Sequence, residues 1–232
     1  MRLRLPEERP TEPPTGYKIA HPVLSHDGTR AGFTGVSLGG ALPYAVLDDA
    51  TCVYGLRHRA PHRRCDCGFH CVHDRTTAEA LLCTAEHRTA VLLEISVLGR
   101  YIRFERGYRY ARQRVRTATV GPCACGTVAA ALADAGWGRP GWRVLAPCCT
   151  ACLRGRTSVS LAGFARLAAG GLRVVAGKGV RVAGEASAPD AGGGPGVPEL
   201  VAEAALLQAR LDWFQSRLDR LGERGLGGGP QG

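Results

Sequence analysis

Apolar and polar residues alternate in short runs along most of the chain, and Gly, Pro and Asp interrupt them often. Runs of this kind read as short strands. Tyr17 to Leu24 and Ala41 to Leu47 are the first extended stretches. Val91 to Leu98 is β-branched and apolar, Gly99-Arg100 supplies a turn and Tyr101 to Glu105 returns, which predicts a β-hairpin. Trp142 to Leu145 predicts a further strand, and Val174-Val175 and Val180 to Val182 predict two more. Helical signals are fewer. Asp74, followed by Thr76, Thr77 and Glu79, is a helix start that carries Ala78 to Cys83. Thr127 to Ala135 is Ala-rich and stops at Gly136; Ser160 to Ala169 stops at Gly170-Gly171; both are read as helices.

The pattern changes after residue 183. Residues 184–198 are a Gly/Pro linker that cannot form a core. Beyond it Leu200, Ala204, Leu207, Leu211, Phe214, Leu218 and Leu221 recur alternately four and three apart, a heptad stripe. This predicts an amphipathic helix over 199–223 that either folds back or forms a homodimer through 199–222. The expected organisation is a disordered tail (1–15), a Cys/His α+β domain with a basic hairpin (16–120), a second Cys-rich unit like a zinc ribbon or treble clef (121–183), the linker, the heptad helix and a disordered tail (224–232). The expected fold class is therefore α+β, in two small zinc-stapled domains plus a C-terminal amphipathic helix.

Composition supports small cores: aromatic residues are 6% of the 232, too few for one large aromatic interior. No apolar run reaches the length of a membrane span, so no membrane association is expected. Residues 1–15 hold four prolines and many charges, with no apolar stretch of the kind a secretory signal needs. That leads to the expectation of a cytoplasmic protein with reduced thiols. The net charge of +10 favours an acidic partner. Of the 30 basic residues only Lys18 and Lys178 are lysines, a skew that reads as codon bias and not as selection for phosphate contacts.

Ten cysteines change the picture most, because they cluster at metal-ligand spacing. Cys65-Asp-Cys67-Gly68 offers two ligands from one tight knuckle. His58 lies seven residues upstream, with Pro61 between, and Cys52 is placed to close a tetrahedron. Cys71, His62, His70 and His73 are further candidates. The second group pairs Cys123-Ala-Cys125-Gly126 with Cys149-Thr-Ala-Cys152, close to the separation of common four-cysteine zinc sites, with Cys148 as an extra thiol. Two structural Zn2+ sites are predicted, with ligands Cys52, His58, Cys65, Cys67 and Cys123, Cys125, Cys149, Cys152.

The segment His58-Arg-Ala60-Pro61-His-Arg-Arg-Cys65-Asp-Cys67-Gly68-Phe69 resembles the H-x-A-P-x3-C-x-C-G motif of a family of uncharacterised small proteins from high-GC bacteria. Gly16-Tyr17, Cys52 and Gly107-Tyr108-Arg109-Tyr110 match further family features, so the similarity covers residues 16–116. It implies a zinc-bound α+β domain and no known activity.

Motifs that suggest catalysis lack their context. Gly35-Val36-Ser37-Leu38-Gly39 spells a nucleophile elbow, but no buried strand system precedes it; a turn is expected. Gly136 to Gly141 matches G-x-G-x-x-G yet follows a predicted helix and contains Pro140. No His or Cys is followed two residues later by Glu, which excludes a zinc deaminase. A thioredoxin-like role for Cys149 and Cys152 lacks a βαβ context.

The basic stretch 100–116 carries seven arginines and one acid, with tyrosines interleaved. Arginines neutralise phosphates and aromatic faces stack on unpaired bases. Arg100, Arg103, Arg106, Tyr108, Arg109, Tyr110, Arg112, Arg114 and Arg116 are the predicted contacts to DNA or RNA. The function predicted is a non-catalytic, zinc-binding accessory factor. A self-associating adaptor and a metalloenzyme with an open zinc are the alternatives.

Overall fold

The computed structural model describes residues 12–36, 42–52, 57–82 and 87–177, all within the unit that spans Met1–Gly184. The linker, the heptad helix of 199–223, residues 1–11, the C-terminal tail, Ser37, Cys83 and the strand expected at Val180 to Val182 lie outside the described residues. The end of the expected disordered tail 1–15 is ordered instead, since Thr15 opens the first strand and Pro14 O accepts from Val97 N at 2.8 Å.

The described residues form one mostly antiparallel sheet with two short helices, which corrects the expected α+β pair of small domains. Its strands are β1 (Thr15–Ser25), β2 (Ala31–Gly35), β3 (Leu47–Asp49), β4 (Phe69–Val72), β5 (Val91–Arg103), β6 (Gly107–Val120), β7 (Ala131–Arg139), β8 (Trp142–Cys148), β9 (Ser158–Ser160) and β10 (Arg173–Ala176). Helix α1 is Arg75–Leu82 and α2 is Leu161–Ala168. The separate zinc-ribbon unit is not formed, because its strands join the first sheet. β8 pairs with β1 (Val23 opposite Val144), and β10 runs parallel to β6. Two half-sheets with few aromatics gain one larger core by merging.

β1 is the pivot. Its first half pairs with β5 and its second half with β2 and β8. β5 and β4 each pair with both β1 and β6, so β1, β5, β6 and β4 close into a ring. Closure depends on two glycines. A Cβ on Gly107 would overlap the Cys71 carbonyl oxygen, and one on Gly16 would overlap Cys71 Sγ. These glycines belong to the Gly16-Tyr17 and Gly107-Tyr108 pairs singled out in the sequence, and their role is close strand approach.

The core between the ring and α2 contains Phe33, Leu93, Ile95, Tyr110, Val115, Leu132, Leu145 and Phe164. Asp74 caps α1: its carboxylate accepts from Thr77 N at 2.7 Å. Ser160 caps α2 by accepting from Gly163 N at 3.0 Å. Both helix starts were expected.

Two local expectations are corrected. Thr127 to Ala135 is not a helix; its second half is β7, held between β8 and β9 (Ala133 opposite both Ala146 and Ser158). Small alanines fit a strand crowded on both sides, and pairing overrides their helix propensity. The hairpin turn is not at Gly99-Arg100. Gly99 takes φ +68° within an irregularity of the β5–β6 pairing, and β5 runs on to Arg103 before Phe104 N donates to Gly107 O at 2.8 Å. The G-x-G-x-x-G match is the β7–β8 hairpin, with Arg139 opposite Trp142.

Candidate metal centres

The first knuckle is built by turns in the loop before β4. Cys65 N donates to His62 O at 3.0 Å, and Gly68 takes φ +126°, a conformation that favours glycine. The loop brings together one donor atom from each of Cys52, His58, Cys65 and Cys67, all within 4.8 Å of one another. Cys52 Sγ and Cys65 Sγ are 3.8 Å apart, and His58 Nε2 lies 3.1 Å from Cys67 Sγ. The second knuckle repeats the device. Gly126 N donates to Cys123 O at 2.7 Å with Gly126 at φ +83°, and a 3-10 turn at Thr150–Leu153 sets Cys152 N on Cys149 O at 3.1 Å. Cys123, Cys125, Cys149 and Cys152 then place four sulfurs within 4.8 Å, with Cys125 Sγ 3.5 Å from Cys149 Sγ.

These spacings have a chemical meaning. Disulfide sulfurs sit about 2.0 Å apart, and none of the described cysteines is bridged. A tetrahedral zinc with Zn–S bonds of about 2.3 Å has a sulfur–sulfur edge of about 3.8 Å. Cys52 and Cys65, at 3.8 Å, match that edge, and Cys125 and Cys149, at 3.5 Å, are slightly closer. Both sets can hold a metal ion, and each supplies four protein donors, so a tetrahedral ion would have no position left for water. All eight residues predicted as ligands are brought together as two quartets.

The remaining candidates separate cleanly. Cys71 is buried in the main core and belongs to neither quartet. Cys148 is buried behind the second knuckle and its Sγ lies 3.7 Å from Cys149 O. His62 stacks on the His58 ring (centroids 4.5 Å apart) and supports it. His73 Nε2 lies 2.9 Å from Phe104 O.

Electrostatics follow the crowding. Burial, then the hydrogen bond with Cys65, pushes the Cys67 thiol up to about 11. Hydrogen bonds from the Thr127 side chain and backbone hold Cys125 down to about 6. Cys152 is pushed up to about 12 by its hydrogen bonds with Cys149, Cys125 and Cys123. Metal ligation deprotonates thiols, so a bound cation would draw the proton from Cys67 and Cys152 as well.

The basic stretch divides. Arg109 and Tyr110 are both buried and leave the expected surface; clear alternation runs from Arg112 on, with Arg112, Arg114 and Arg116 exposed and Gln113 and Val115 buried. Arg109 reaches into the first knuckle, donating from one terminal nitrogen to Cys65 O at 2.7 Å and from the other to His62 O at 3.3 Å, with Asp66 Oδ1 at 3.3 Å. Tyr110 donates to Gln113 Oε1 at 2.9 Å. Arg100 donates to Arg59 O at 3.1 Å in the same loop. Tyr108 is half-buried and packs edge-on against His73 and Tyr101. Arg103 and Arg106 are exposed near the hairpin end. Arg112, Arg114 and Arg116 project outward along β6 and line an open groove of about 520 Å³ with Leu47, Ser96, Leu98 and Gly99. Arg112 Nε is 3.8 Å from Asp49, and Arg116 donates to Ser96 Oγ at 2.9 Å. The loop-holding roles of Arg109 and Arg100 were missed in the sequence; the only available signal was the four-residue Gly-Tyr-Arg-Tyr match.

Comparison of the chain with protein-family models, with curated proteins and with solved structures finds no match. Among the described residues no helix is long and apolar enough to cross a membrane.

Proposed function

We propose that this chain is a non-catalytic cytoplasmic protein, held by two structural zinc ions, that binds the backbone of DNA or RNA through the outer face of β6. The observation that carries the reading is the row Arg112, Arg114 and Arg116, on one side of one strand and lining one open groove. Alternate residues of a strand stand about 6.8 Å apart, so three guanidiniums present a linear array to a linear polyanion. Tyr110 is buried, Tyr108 is packed, and the exposed Phe104 stands at the hairpin end and not in the groove that the arginines line, which leaves phosphate neutralisation as the mode of contact there. Binding of this kind is independent of base sequence.

Zinc is the metal best suited to one set of three cysteines with a histidine and one set of four cysteines at tetrahedral spacing, with iron as the competitor at the all-sulfur set. Four protein donors at each ion give staples, not a Lewis acid open to substrate.

The test is the salt dependence of binding to mixed-sequence duplexes, read by fluorescence anisotropy. Replacing Arg112, Arg114 and Arg116 together with Ala should reduce the magnitude of the log K against log[salt] slope by about 2.7, roughly 0.9 per lost contact. No binding at low salt, or a slope indifferent to the triple substitution, would overturn the proposal.

A further inference from the structure

Lys18 is the only lysine among the described residues of a chain that otherwise uses arginine. It stands on β1, part-buried, and is paired in register with the fully buried Leu93. Its Nζ lies over two aromatic rings, 4.5 Å from the centroid of Tyr44 and 5.1 Å from that of Phe69. The single hydrogen bond it makes among the described residues is a long one, to Gln113 Oε1 at 3.5 Å.

Among the described residues, nothing packed around this ammonium carries a compensating negative charge. Cys71 is pushed up to about 11 by burial and stays a neutral thiol. Tyr44 and Tyr110 are raised further by burial and stay neutral phenols. His70 is exposed on β4 and an imidazole is neutral or cationic, never anionic, and Arg109 is a cation. Asp66 is half exposed and paired with Arg109. Burial holds Lys18 down to about 8, so at pH 7 it is still mostly an ammonium.

Two further groups at the same place have unmet demand. Gln113 Oε1 already accepts from Tyr110 and Lys18, while Gln113 Nε2 has no hydrogen-bond partner among the described residues. The same holds for Tyr44 Oη, although both side chains are more than nine-tenths buried. Lysine and the amide nitrogen are donors only, and the phenol is a donor when paired with an acceptor. A part-buried cation seated over two aromatic rings, beside two orphaned buried donors, calls for acceptor atoms and one negative charge together. Water supplies the first and not the second; a monoanion supplies both.

We infer that the ring formed by β1, β5, β6 and β4 holds a binding site for a small monoanion, a halide ion or the carboxylate of a very small acid, held by Lys18 Nζ, Gln113 Nε2 and Tyr44 Oη. Leu93, Ile95 and Tyr110 in the surrounding core limit the guest to a few atoms. The site is independent of both metal centres and of the arginine face.

The scarcity of lysine makes the test clean. The full chain, loaded with zinc and labelled with 15N at lysine Nζ, contains two such groups, Lys18 and Lys178. It is titrated with sodium bromide, formate and acetate at constant ionic strength. A saturable shift of the Lys18 resonance, with Lys178 unmoved, is expected, together with a rise in the Lys18 titration midpoint at saturation. Bromide binding alone identifies an inorganic guest; tighter binding of formate or acetate identifies a carboxylate. Tyr44→Phe removes one donor and should weaken binding by about 2- to 10-fold while leaving the amine in place. Parallel, unsaturating drift of both lysines would overturn the inference. So would an anomalous map of bromide-grown crystals with no peak beside Lys18 Nζ.

Discussion

Arg109→Ala separates the first metal centre from the rest of the fold. The guanidinium is buried, and it donates to two backbone carbonyls of the first knuckle, Cys65 O at 2.7 Å and His62 O at 3.3 Å. A hydrogen bond from a charged donor contributes roughly 1.5–3 kcal/mol, so the two together are worth about 4 kcal/mol. The contact to Asp66, whose carboxylate is 48% exposed, adds little because solvent screens it. These bonds hold the loop that carries His62, Cys65 and Cys67 against β6, so their loss falls on the assembly of the first quartet. At about 1.4 kcal/mol per decade, metal affinity there should drop by about a factor of 10³, while the Cys123, Cys125, Cys149 and Cys152 set serves as an internal reference. Competition with a chromophoric chelator reads the two sites as two steps. Arg109→Ala should shift the first step by about three decades and leave the second in place. Arg109→Lys keeps the charge but loses the fork, and should fall between. An unchanged first step in Arg109→Ala, with or without a fall in global stability, would refute the assignment of Arg109 to the metal loop.

Three other outcomes are expected. Gly16→Ala and Gly107→Ala should both prevent the strand ring from closing, but only the first obstruction is a side chain: adding Cys71→Ala should restore folding to Gly16→Ala and not to Gly107→Ala, as judged by circular dichroism and urea denaturation. Phe164→Ala removes a ring that is 1% exposed and packs at 5.7 Å on Phe33; it should cost about 3–5 kcal/mol, and a loss below about 1 kcal/mol in urea would show that α2 is not seated on the core. His21 is held down to about 4 by burial and then by His87. Because the native ring resists a proton that the unfolded ring accepts below about 6.5, its contribution is complete above about pH 6.5 and is lost as pH falls toward 4. His21→Gln should flatten stability against pH in that window by up to about 1.4 kcal/mol per pH unit, and identical profiles for both proteins would contradict this.

The two candidate metal quartets were legible in the sequence because their information is local. A C-x-C-G knuckle specifies a tight turn with a glycine at positive φ, and both knuckles adopt it, at Gly68 and Gly126. The helix caps at Asp74 and Ser160 are local too, and both hold. What depended on distant partners was not legible. β7 reads as a helix until β8 and β9 are known to flank it. Gly99 reads as a turn, and only the facing strand shows that it is an irregularity in a longer hairpin. The boundary drawn at Gly121-Pro122 marks a loop and not the end of a sheet, since β8 returns to β1 and β10 to β6.

The same contrast decides how the charge of the hairpin is to be weighed. Seven arginines in 100–116 look equivalent in a count, yet strand alternation sends them to different work. Arg109 and Arg100 turn to the carbonyls of the first metal loop. Arg112, Arg114 and Arg116 turn outward. The two sets are coupled through one backbone, because β6 carries Arg109 and the outward row within eight consecutive residues. Metal binding that fixes the loop on Arg109 therefore also fixes the strand from which the outward arginines project. Removing metal from the first quartet should weaken polyanion binding without removing a single phosphate contact, so the affinity should fall at every salt concentration while the slope of log K against log[salt] stays the same. A change of slope on metal removal would show instead that the arginine row is lost along with the knuckle.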